Sequence, residues 1–499
     1  MSGEPSEGEP SPRYNHVMDD LRFGTDGWRD RIGERFTTAN VRRAAQATAD
    51  HLRERGGTRV AVAHDPRFGG PMFARAAAET LAANGLEVLL AEGPLPTPVL
   101  SFAVVHLGLD AGVMLTASHN PPAWNGFKLK GPYGGTATDA VYRDVAARTR
   151  RIDPHDVAKG DPDATFAPLE VREAYFDRLA ELLDLDALRG ITGTVVHDAM
   201  GGAAAGWLAG FARHAGLDVR VEGVRDVPDA LFHGGAPEPV PRLMGPLLER
   251  MGRGDALLGI ATDGDGDRVA AALPGGRALN PHEVFALLLD RRARAGGRGR
   301  VVKTVTVARL VERIATARGF EVVETPVGFK WLVEELRAGD VLIAGEESGG
   351  IGIPEHLPER DAILNGWLLI EAWATAPERA AEVRGAVPGG PLAARLAALE
   401  REAEWRHHYD RRDLDLGDET AQARAVAALD DDPDRFADRD VTSVERRDGV
   451  KLNLDGKAWL LVRASGTEPV LRLYAEAQSA EEVAALLDGA ERFVREAAG

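Results

Sequence analysis

The sequence predicts an α/β protein with three successive α/β domains on mixed or parallel sheets, followed by a smaller C-terminal α+β domain. Short apolar segments typical of strands alternate with helix-like segments from about residue 38 to about residue 345. Strands separated by helices of roughly 10–15 residues are typical of βαβ units and parallel sheets. This pattern occurs three times, whereas the end of the chain has several short strands and one terminal helix, which indicates an antiparallel sheet.

Each predicted domain follows from its own run of segments. The first run has helices at residues 41–55 and 71–84 and strands at 60–63, 87–91 and 112–115. The second has strands at 193–197, 218–221 and 256–261 and a helix at 203–215. The third has strands at 301–305, 321–325 and 341–344 and a helix at 308–318. The remaining segments are helices at 360–376, 392–406 and 480–498, an irregular acidic stretch at 410–440, and strands at 441–446, 450–454, 458–463 and 471–477. The expected domains are residues 21–155, 156–275, 276–385 and 386–499, after a disordered tail at 1–20.

Composition excludes several classes of protein. The 499 residues are 44% hydrophobic, which is enough for buried cores, but no apolar run of 18 residues could span a membrane. The formal charge of −18 and the absence of a basic run argue against nucleic-acid binding. Without cysteine there is no disulfide, zinc-thiolate site or thiol nucleophile, and the N-terminus lacks the pattern of a signal peptide. A cytoplasmic location is therefore expected.

A serine segment follows the last strand of the first run. Residues 116–122, T-A-S-H-N-P-P, come directly after the strand at 112–115. Ligand sites in parallel sheets lie beyond the carboxyl ends of strands. Taken alone, Ser118 is more simply explained as a helix cap or a turn residue. Residues 125–128, N-G-F-K, are interpreted as a flexible turn that places a cation, Lys128, nearby.

An acidic segment, D-G-D-G-D-R at residues 263–268, follows the strand at 256–261. Its three carboxylates, Asp263, Asp265 and Asp267, repel one another unless a cation neutralises them. Oxygen ligands suit Mg²⁺ or Ca²⁺. A calcium loop of the EF-hand type is excluded, because its sixth and twelfth positions would be Arg268 and Pro274 in place of Gly and Glu. Metal binding explains the segment better than a plain acidic turn does.

Two further loops carry groups that bind polyols and anions. Residues 345–350, G-E-E-S-G-G, offer a carboxylate and a hydroxyl that suit sugar hydroxyls, although an ordinary loop explains this segment alone. Residues 463–469, R-A-S-G-T-E-P, combine an arginine, two hydroxyls and a glycine that exposes backbone N–H groups, which suits a phosphate better than a plain hairpin loop.

Together these segments resemble the α-D-phosphohexomutase family, which includes phosphoglucomutase, phosphomannomutase and phosphoglucosamine mutase. T-A-S-H-N-P, D-G-D-G-D-R, G-E-x-S-G and R-x-S-G-T-E-P occur in the family's order and roughly its spacing. Residues 23–29, F-G-T-D-G-W-R, also resemble its N-terminal signature. The resemblance runs from about residue 21 to the C-terminal helix. It implies four domains around a central cleft and an enzyme that interconverts hexose 1-phosphate and hexose 6-phosphate.

The resemblance also implies a role for each segment. Ser118 is expected to be a phosphoserine, and the acidic segment is expected to hold Mg²⁺ together with an oxygen of that phosphoserine. The other expected site residues are His119, Lys128, Arg29 and Arg268 around the transferring group, Gly328, Lys330, Glu346 and Ser348 at the sugar, and Arg463, Ser465, Gly466, Thr467 and Arg472 at the phosphate that does not react. Hexose 1,6-bisphosphate is the expected intermediate and activator. Either Lys128 or His119 moves the hydroxyl proton.

The sequence leaves the sugar and two other functions open. Residues 26–29 and 345–350 resemble the phosphoglucomutase-like branch, so glucose and mannose phosphates are the expected substrates and glucosamine phosphate is the alternative. A metal-dependent phosphatase would need a second metal cluster to activate water, and a non-catalytic sugar-phosphate sensor would not need Ser118 or Lys128. The expected partners are small hexose phosphates, and the chain is expected to be a monomer or a homodimer.

Overall fold

Four sheets follow one another along the chain in the computed structural model. The structure describes residues 21–24, 26–379, 388–417, 419–429, 433–464 and 470–498, so the predicted tail at 1–20 lies outside the described residues. The first three sheets mix parallel and antiparallel strands, and the fourth is antiparallel. The predicted fold class is confirmed. Among the described residues, no helix has both the length and the apolar character that crossing a membrane requires.

The first sheet carries the serine segment and Lys128. Its strands are β1 (Phe23–Gly24), β2 (Gly27–Arg31), β3 (Arg59–His64), β4 (Glu87–Leu90), β5 (Ala111–Leu115), β6 (Trp124–Lys130) and β7 (Ala167–Pro168), and the accompanying helices are α1 (Thr38–Arg53), α2 (Gly70–Ala83), α3 (Thr97–His106) and α4 (Asp139–Thr149). The order across the sheet is β1-β2-β6-β5-β3-β4-β7. Since β3 and β5 are parallel neighbours, the loops that follow them meet at one edge.

The second sheet carries the acidic segment between two antiparallel strands. The helices and strands of this region are α5 (Arg172–Leu182), α6 (Leu185–Arg189), β8 (Thr194–Asp198), α7 (Trp207–His214), β9 (Arg220–Val224), α8 (Gly245–Met251), β10 (Leu258–Thr262), β11 (Val269–Leu273) and β12 (Arg277–Leu279), with short 3₁₀ turns at Phe232–Gly234 and Pro241–Leu243. The order is β12-β11-β10-β8-β9. Every residue of β10 and β11 is buried, so the intervening loop starts from a rigid support.

The third sheet carries the G-E-E-S-G-G loop after its strand β15. The helices and strands of this region are α9 (Pro281–Arg294), β13 (Arg300–Thr304), α10 (Arg309–Ala317), β14 (Val322–Thr325), α11 (Phe329–Ala338), β15 (Val341–Gly345), β16 (Ile351–Gly352), α12 (Ala362–Ala374) and α13 (Gly390–Glu402). The order is β14-β13-β15-β16. One apolar cluster, which includes Met114, Ile260, Leu342 and Leu396, joins the first three sheets and α13.

The fourth sheet forms the C-terminal domain with its own apolar core. Its helices and strands are β17 (His408–Asp415), α14 (Glu419–Ala427), β18 (Arg435–Phe436), β19 (Arg439–Glu445), β20 (Val450–Leu454), β21 (Ala458–Ala464), β22 (Val470–Ala477) and α15 (Ala480–Ala498). The order is β17-β22-β21-β20-β19-β18. The face of β22 that bears Arg472 and Glu476 is the face that meets the rest of the chain.

Two predicted segments were wrong. Residues 125–128 are not a flexible turn but part of the buried strand β6. Gly126 is needed there because a Cβ would lie 2.4 Å from the carbonyl oxygen of Thr116. The stretch at 410–440 is not irregular throughout, since it contains most of β17 and all of α14. Because β17 is an edge strand rich in charged residues, it lacks the apolar alternation that identifies a strand.

A buried glutamate of β22, Glu476, joins the C-terminal domain to the preceding one. Its carboxylate accepts hydrogen bonds from Arg309 N at 2.6 Å, Trp405 Nε1 at 2.8 Å, His407 Nδ1 at 2.9 Å and Trp459 Nε1 at 2.6 Å. Arg309 begins α10, and Trp405 and His407 lie between α13 and β17. Burial opposes ionisation, but these hydrogen bonds, led by the one from His407, lower the pKa of Glu476 to about 2.

We expect Glu476→Gln to destabilise the chain by about 3 kcal/mol, since an amide keeps one acceptor oxygen and turns an NH₂ group towards buried donors. Urea unfolding followed by tryptophan fluorescence would measure the change, because Trp405 and Trp459 both contact this carboxylate. The matched change at exposed Glu496 on α15 should alter stability by less than about 0.5 kcal/mol. Equal unfolding midpoints for the two variants would contradict the role of Glu476.

Candidate active site

Ser118 occupies a strained position in the loop after β5. Its φ of +51° lies in the left-handed region, which costs a residue other than glycine roughly 1–3 kcal/mol. The backbone N–H of Ser118 donates to Thr116 Oγ1 at 2.8 Å, and that hydroxyl donates to Asp65 Oδ2 at 2.6 Å. The side chain is buried, and its Oγ donates to Asp263 Oδ2 at 2.7 Å. The strain is therefore held by surrounding contacts, and the hydroxyl faces the acidic segment.

The buried guanidinium of Arg67, in the loop after β3, holds the serine loop from behind. It donates to the carbonyl oxygens of Ser118 at 2.6 Å and Asn120 at 2.8 Å, and also to those of Pro121 and Trp124. Its Nε donates to the Asp65 carboxylate at 2.9 Å. Four loop carbonyls thus converge on one rigid group, which fixes the left-handed turn at Ser118.

The three aspartates of the acidic segment are fully buried and meet at one point. One carboxylate oxygen from each of Asp263, Asp265 and Asp267 lies within 4.8 Å of the others. Asp263 Oδ1 accepts the backbone N–H groups of Asp267 at 2.9 Å and Arg268 at 3.1 Å. At Gly264 a Cβ would lie 2.5 Å from the carbonyl oxygen of Ser118, so the two loops are in direct backbone contact.

The chemistry of this donor set fits a divalent cation. Asp265 Oδ1 and Asp267 Oδ1 are buried and accept no hydrogen bond from the part of the chain that the structure describes. Burial, together with the neighbouring charges of Asp265 and Asp267, raises the pKa of Asp263 well above its usual value. The ligands that Mg²⁺ takes in proteins are hard oxygen atoms such as those of carboxylates. Ser118 Oγ lies at the rim of the same cluster.

Two buried cations from other domains already compensate part of this charge. Lys128 Nζ lies 2.9 Å from Asp265 Oδ2, 3.5 Å from Asp267 Oδ2 and 3.0 Å from Asp26 Oδ2. Burial opposes the charge on Lys128, but Asp26 and Asp265 more than offset this and raise its pKa. Arg360 Nη2 lies 2.8 Å from both Asp26 Oδ2 and Asp267 Oδ2. The network therefore ties the first three domains together.

The other predicted groups around Ser118 are cationic or neutral. Arg29 Nη1 donates to Asn120 Oδ1 at 2.8 Å, and Arg268 Nε lies 3.9 Å from Asp267 Oδ1. His119 Nδ1 lies 3.5 Å from Ser118 Oγ, at the long limit of a hydrogen bond. Burial and the charges of Arg268, Arg29, Lys128 and Arg472 hold the pKa of His119 well below its usual range. A neutral imidazole and several guanidinium groups suit an incoming anion.

The G-E-E-S-G-G loop lies beside the acidic segment. The Gly349 carbonyl accepts a hydrogen bond from Val269 N at 3.1 Å, and a Cβ at Gly349 would lie 2.5 Å from the Val269 oxygen. Burial raises the pKa of Glu346 to about 7, although Arg360, 3.6 Å away, opposes the rise. The Ser348 side chain is half-buried. The loop therefore brings a carboxyl group and a hydroxyl to the same region.

The second predicted sugar loop makes a different contact. Gly328, with a φ of +126°, precedes α11 in a backbone conformation that favours glycine. Lys330 Nζ lies 2.8 Å from both carboxylate oxygens of Asp139 at the start of α4. Lys330 thus joins the first and third domains and is not aimed at the acidic segment.

The predicted phosphate-binding residues fall partly within the described chain. Arg463 on β21 and Arg472 on β22 are Cα partners in the fourth sheet, so their side chains share one face. Ser465, Gly466 and Thr467 lie outside the described residues.

Sequence reasoning missed Asp26, Arg67 and Arg360. Arg67 had a usable signal, because its loop follows β3, the parallel neighbour of the strand before Ser118. Asp26 lies in the F-G-T-D-G-W-R segment, which was identified only by its resemblance. Arg360 was predicted to begin a helix, but α12 begins at Ala362 after its N-cap, Asp361. Nothing in the sequence around Arg360 marks its contacts with two other domains.

Family models match the chain in four consecutive parts. The phosphoglucomutase/phosphomannomutase alpha/beta/alpha domains I, II and III match residues 20–156, 173–276 and 280–388, and the C-terminal domain matches residues 415–492. The predicted family resemblance is therefore confirmed.

Individual relatives extend over nearly the whole chain. A phosphoglucomutase/phosphomannomutase from Thermococcus kodakarensis is 29% identical over 95% of this chain and 98% of its own. A probable phosphoglucosamine mutase from Methanopyrus kandleri is 31% identical over 93% and 96%. A solved structure, a putative phosphomannomutase from Thermus thermophilus, is 43% identical with a TM-score of 0.84, covering 96% of this chain and all of its own. The chain therefore belongs to the phosphoglucomutase/phosphomannomutase family and is a phosphohexomutase, an intramolecular phosphotransferase.

Proposed function

We propose that the chain interconverts the 1-phosphates and 6-phosphates of glucose and mannose, with Ser118 carrying the phosphoryl group. The observation that carries this proposal is the placement of Ser118 Oγ, which is buried, held in a strained turn and 2.7 Å from the Asp263 carboxylate. A serine in such a position can exchange a phosphoryl group with a bound sugar, because its burial leaves little access for water. Hexose 1,6-bisphosphate is the intermediate of this cycle.

The acidic segment and an oxygen at Ser118 are the groups that we propose hold Mg²⁺. When bound, the ion supplies positive charge that stabilises the negative charge on the transferring phosphoryl group. The side chains of Asp263, Asp265 and Asp267 would hold the ion, and Lys128 reduces the repulsion between Asp265 and Asp267.

The surrounding side chains supply positioning and proton transfer. In the first transfer the bond from Ser118 Oγ to phosphorus breaks, a bond from the sugar hydroxyl to phosphorus forms, and the hydroxyl proton must leave. In the second transfer the other phosphoryl group of the bisphosphate returns to Ser118 Oγ, so its bond to the sugar oxygen breaks and that oxygen takes up a proton. We assign that proton to His119 Nδ1, which lies 3.5 Å from Ser118 Oγ, because Lys128 Nζ is already surrounded by three carboxylates. Arg29 and Arg268 bind the phosphoryl oxygens.

The sugar is recognised by Glu346 and Ser348 in this proposal, and its second phosphate by Arg463 and Arg472. Two relatives in the comparison differ in name, one a phosphoglucomutase/phosphomannomutase and the other a probable phosphoglucosamine mutase. Glucosamine phosphate is therefore the second candidate substrate, because a buried carboxyl group such as that of Glu346 suits an amino group as well as a hydroxyl. The solved relative at 43% identity, a putative phosphomannomutase, supports mannose, and the phosphoglucomutase/phosphomannomutase from Thermococcus kodakarensis supports both glucose and mannose.

Ser118→Ala should lower mutase turnover at least about a thousandfold, since no other described hydroxyl replaces Ser118 Oγ beside Asp263. Turnover of glucose 1-phosphate, mannose 1-phosphate and glucosamine 1-phosphate would be measured with catalytic hexose 1,6-bisphosphate, together with the mass of the phosphorylated chain. Ser443→Ala, at an exposed serine of β19, is the control. Full activity in Ser118→Ala would refute the carrier role. Release of inorganic phosphate without hexose 6-phosphate would identify a phosphatase instead.

Exhaustive chelation should abolish turnover, because it removes the ion that neutralises the buried carboxylates. Adding Mg²⁺ should restore turnover. The thermal midpoint of the wild-type chain should also rise when Mg²⁺ is added without substrate. Asp265→Asn should lose most of that rise. Asp177→Asn, at an aspartate of α5 outside the acidic segment, should keep it. Undiminished turnover after chelation would contradict the metal requirement.

Glu346→Gln should stabilise the chain above about pH 7 by about 2 kcal/mol while weakening substrate binding. Burial raises the pKa of Glu346 to about 7, so the folded state holds a proton that the unfolded state releases first as pH rises. The wild type therefore loses stability between about pH 4.5 and about pH 7, and the variant does not. Thermal midpoints across this range would measure the difference. Glu334→Gln, at an exposed glutamate of α11, is the matched control.

A further inference from the structure

The turn between β19 and β20 links the phosphate-binding arginine to the loop before α11. Asp448 Oδ1 in this turn lies 2.9 Å from Arg463 Nε. The other oxygen, Asp448 Oδ2, accepts a hydrogen bond from the backbone N–H of Val327 at 2.8 Å. Val327 lies in the segment 326–328, next to the predicted sugar-facing residue Gly328. One carboxylate therefore contacts a group expected at the phosphate and a loop expected at the sugar.

Packing holds both partners of Asp448 in place. The Val327 side chain packs against an apolar cluster of the fourth sheet that includes Trp459, Leu461 and Tyr474. On the other side of the turn, Gly449 has a φ of +86°, and a Cβ there would lie 2.5 Å from the Val462 carbonyl oxygen and 3.0 Å from the Arg463 Cα. The turn therefore lies directly on β21, which fixes Asp448 relative to Arg463.

Charge explains why a carboxylate is needed at this turn. Arg463 and Arg472 are Cα partners on adjacent strands, and like charges directly opposite each other are destabilising. Burial opposes the charge on Arg463, and the Asp448 carboxylate offsets this and raises the pKa of the guanidinium. Arg472 Nε lies 3.9 Å from Asp413 Oδ1. Asp448 thus offsets the repulsion that Arg463 meets beside Arg472.

We propose that Asp448 is a positioning residue for the mutase reaction, which holds the Arg463 guanidinium at a fixed place relative to the sugar-facing loop. The inference rests on the function proposed above. A 1,6-bisphosphate must bind in two opposite orientations, so either phosphate must meet the same guanidinium at the same distance from the sugar. The shared carboxylate sets that distance before substrate arrives, and substrate binding does not have to order Arg463.

Asp448→Asn separates the two contacts, because the amide oxygen can still accept from Val327 N while the charge beside Arg463 is lost. We expect the KM for glucose 1-phosphate to rise roughly tenfold and kcat to change by less than about threefold. Asp448→Ala removes both contacts and should raise KM further. The matched control is Asp455→Asn in the next hairpin, where Asp455 lies 3.2 Å from Arg439, and its KM should equal that of the wild type.

A double-mutant cycle tests whether Asp448 acts through Arg463. In an Arg463→Ala background, Asp448→Asn should change KM by less than about twofold, because the group that it positions is gone. A second full tenfold rise would overturn the proposal. So would an unchanged or lower KM in the single variant, which would mean that Asp448 competes with the phosphate for Arg463. Thermal midpoints and circular dichroism would verify folding. Asp448→Glu, which keeps the charge, would replace any variant that fails to fold. Its KM should rise less than that of Asp448→Ala.

The same experiment separates this inference from the proposed function. A wild-type chain without turnover on any of the three hexose 1-phosphates would overturn the function but not the role of Asp448. Calorimetric titration with glucose 6-phosphate then decides the matter. A Kd roughly tenfold weaker in Asp448→Asn than in the wild type supports the positioning role, and equal Kd values overturn it.

Discussion

The concentration of negative charge at residues 263–268 is the constraint on which the rest of this structure depends. Three fully buried carboxylates within 4.8 Å of one another are tolerated only where positive charge reaches them. That charge comes from Lys128 of the first sheet and Arg360, which follows β16 of the third. The acidic loop of the second domain therefore contacts cations of the first and third domains, and the candidate site lies where these three domains meet.

The same requirement explains the strain at Ser118. To face the acidic loop, the serine must turn its hydroxyl out of the edge of the sheet, and a left-handed φ provides that turn. The cost is offset by Arg67, which donates hydrogen bonds to four backbone carbonyl oxygens of the segment 118–124 and to the Asp65 carboxylate. Strain at a single residue is thus supported by a buried cation behind the loop, and backbone strain is common at functional sites.

Sequence reasoning predicted a site from groups that lie in short contiguous segments, because their spacing indicates the chemistry. Ser118, the three aspartates and Glu346 each follow a buried strand, and the carboxyl ends of parallel strands are where ligands bind. It missed Asp26 and Arg360, because their contact with each other joins residues 334 positions apart and leaves no local pattern. It also predicted Lys330 at the sugar, which stays a prediction, and it could not foresee the ion pair of Lys330 with Asp139.

The fourth domain shows why the remaining features needed the structure. The first three sheets share one apolar cluster with α13, whereas the C-terminal sheet meets the third domain through a small apolar cluster around Val305 and Trp459 and through polar contacts. Small and partly polar interfaces between domains permit relative motion more readily than large apolar ones. Glu476 lies at the end of this interface next to the linker, and Asp448 lies at the end next to Arg463. The two carboxylates therefore connect the C-terminal domain to the third domain at both ends of this interface, Glu476 through Arg309 and Asp448 through Val327.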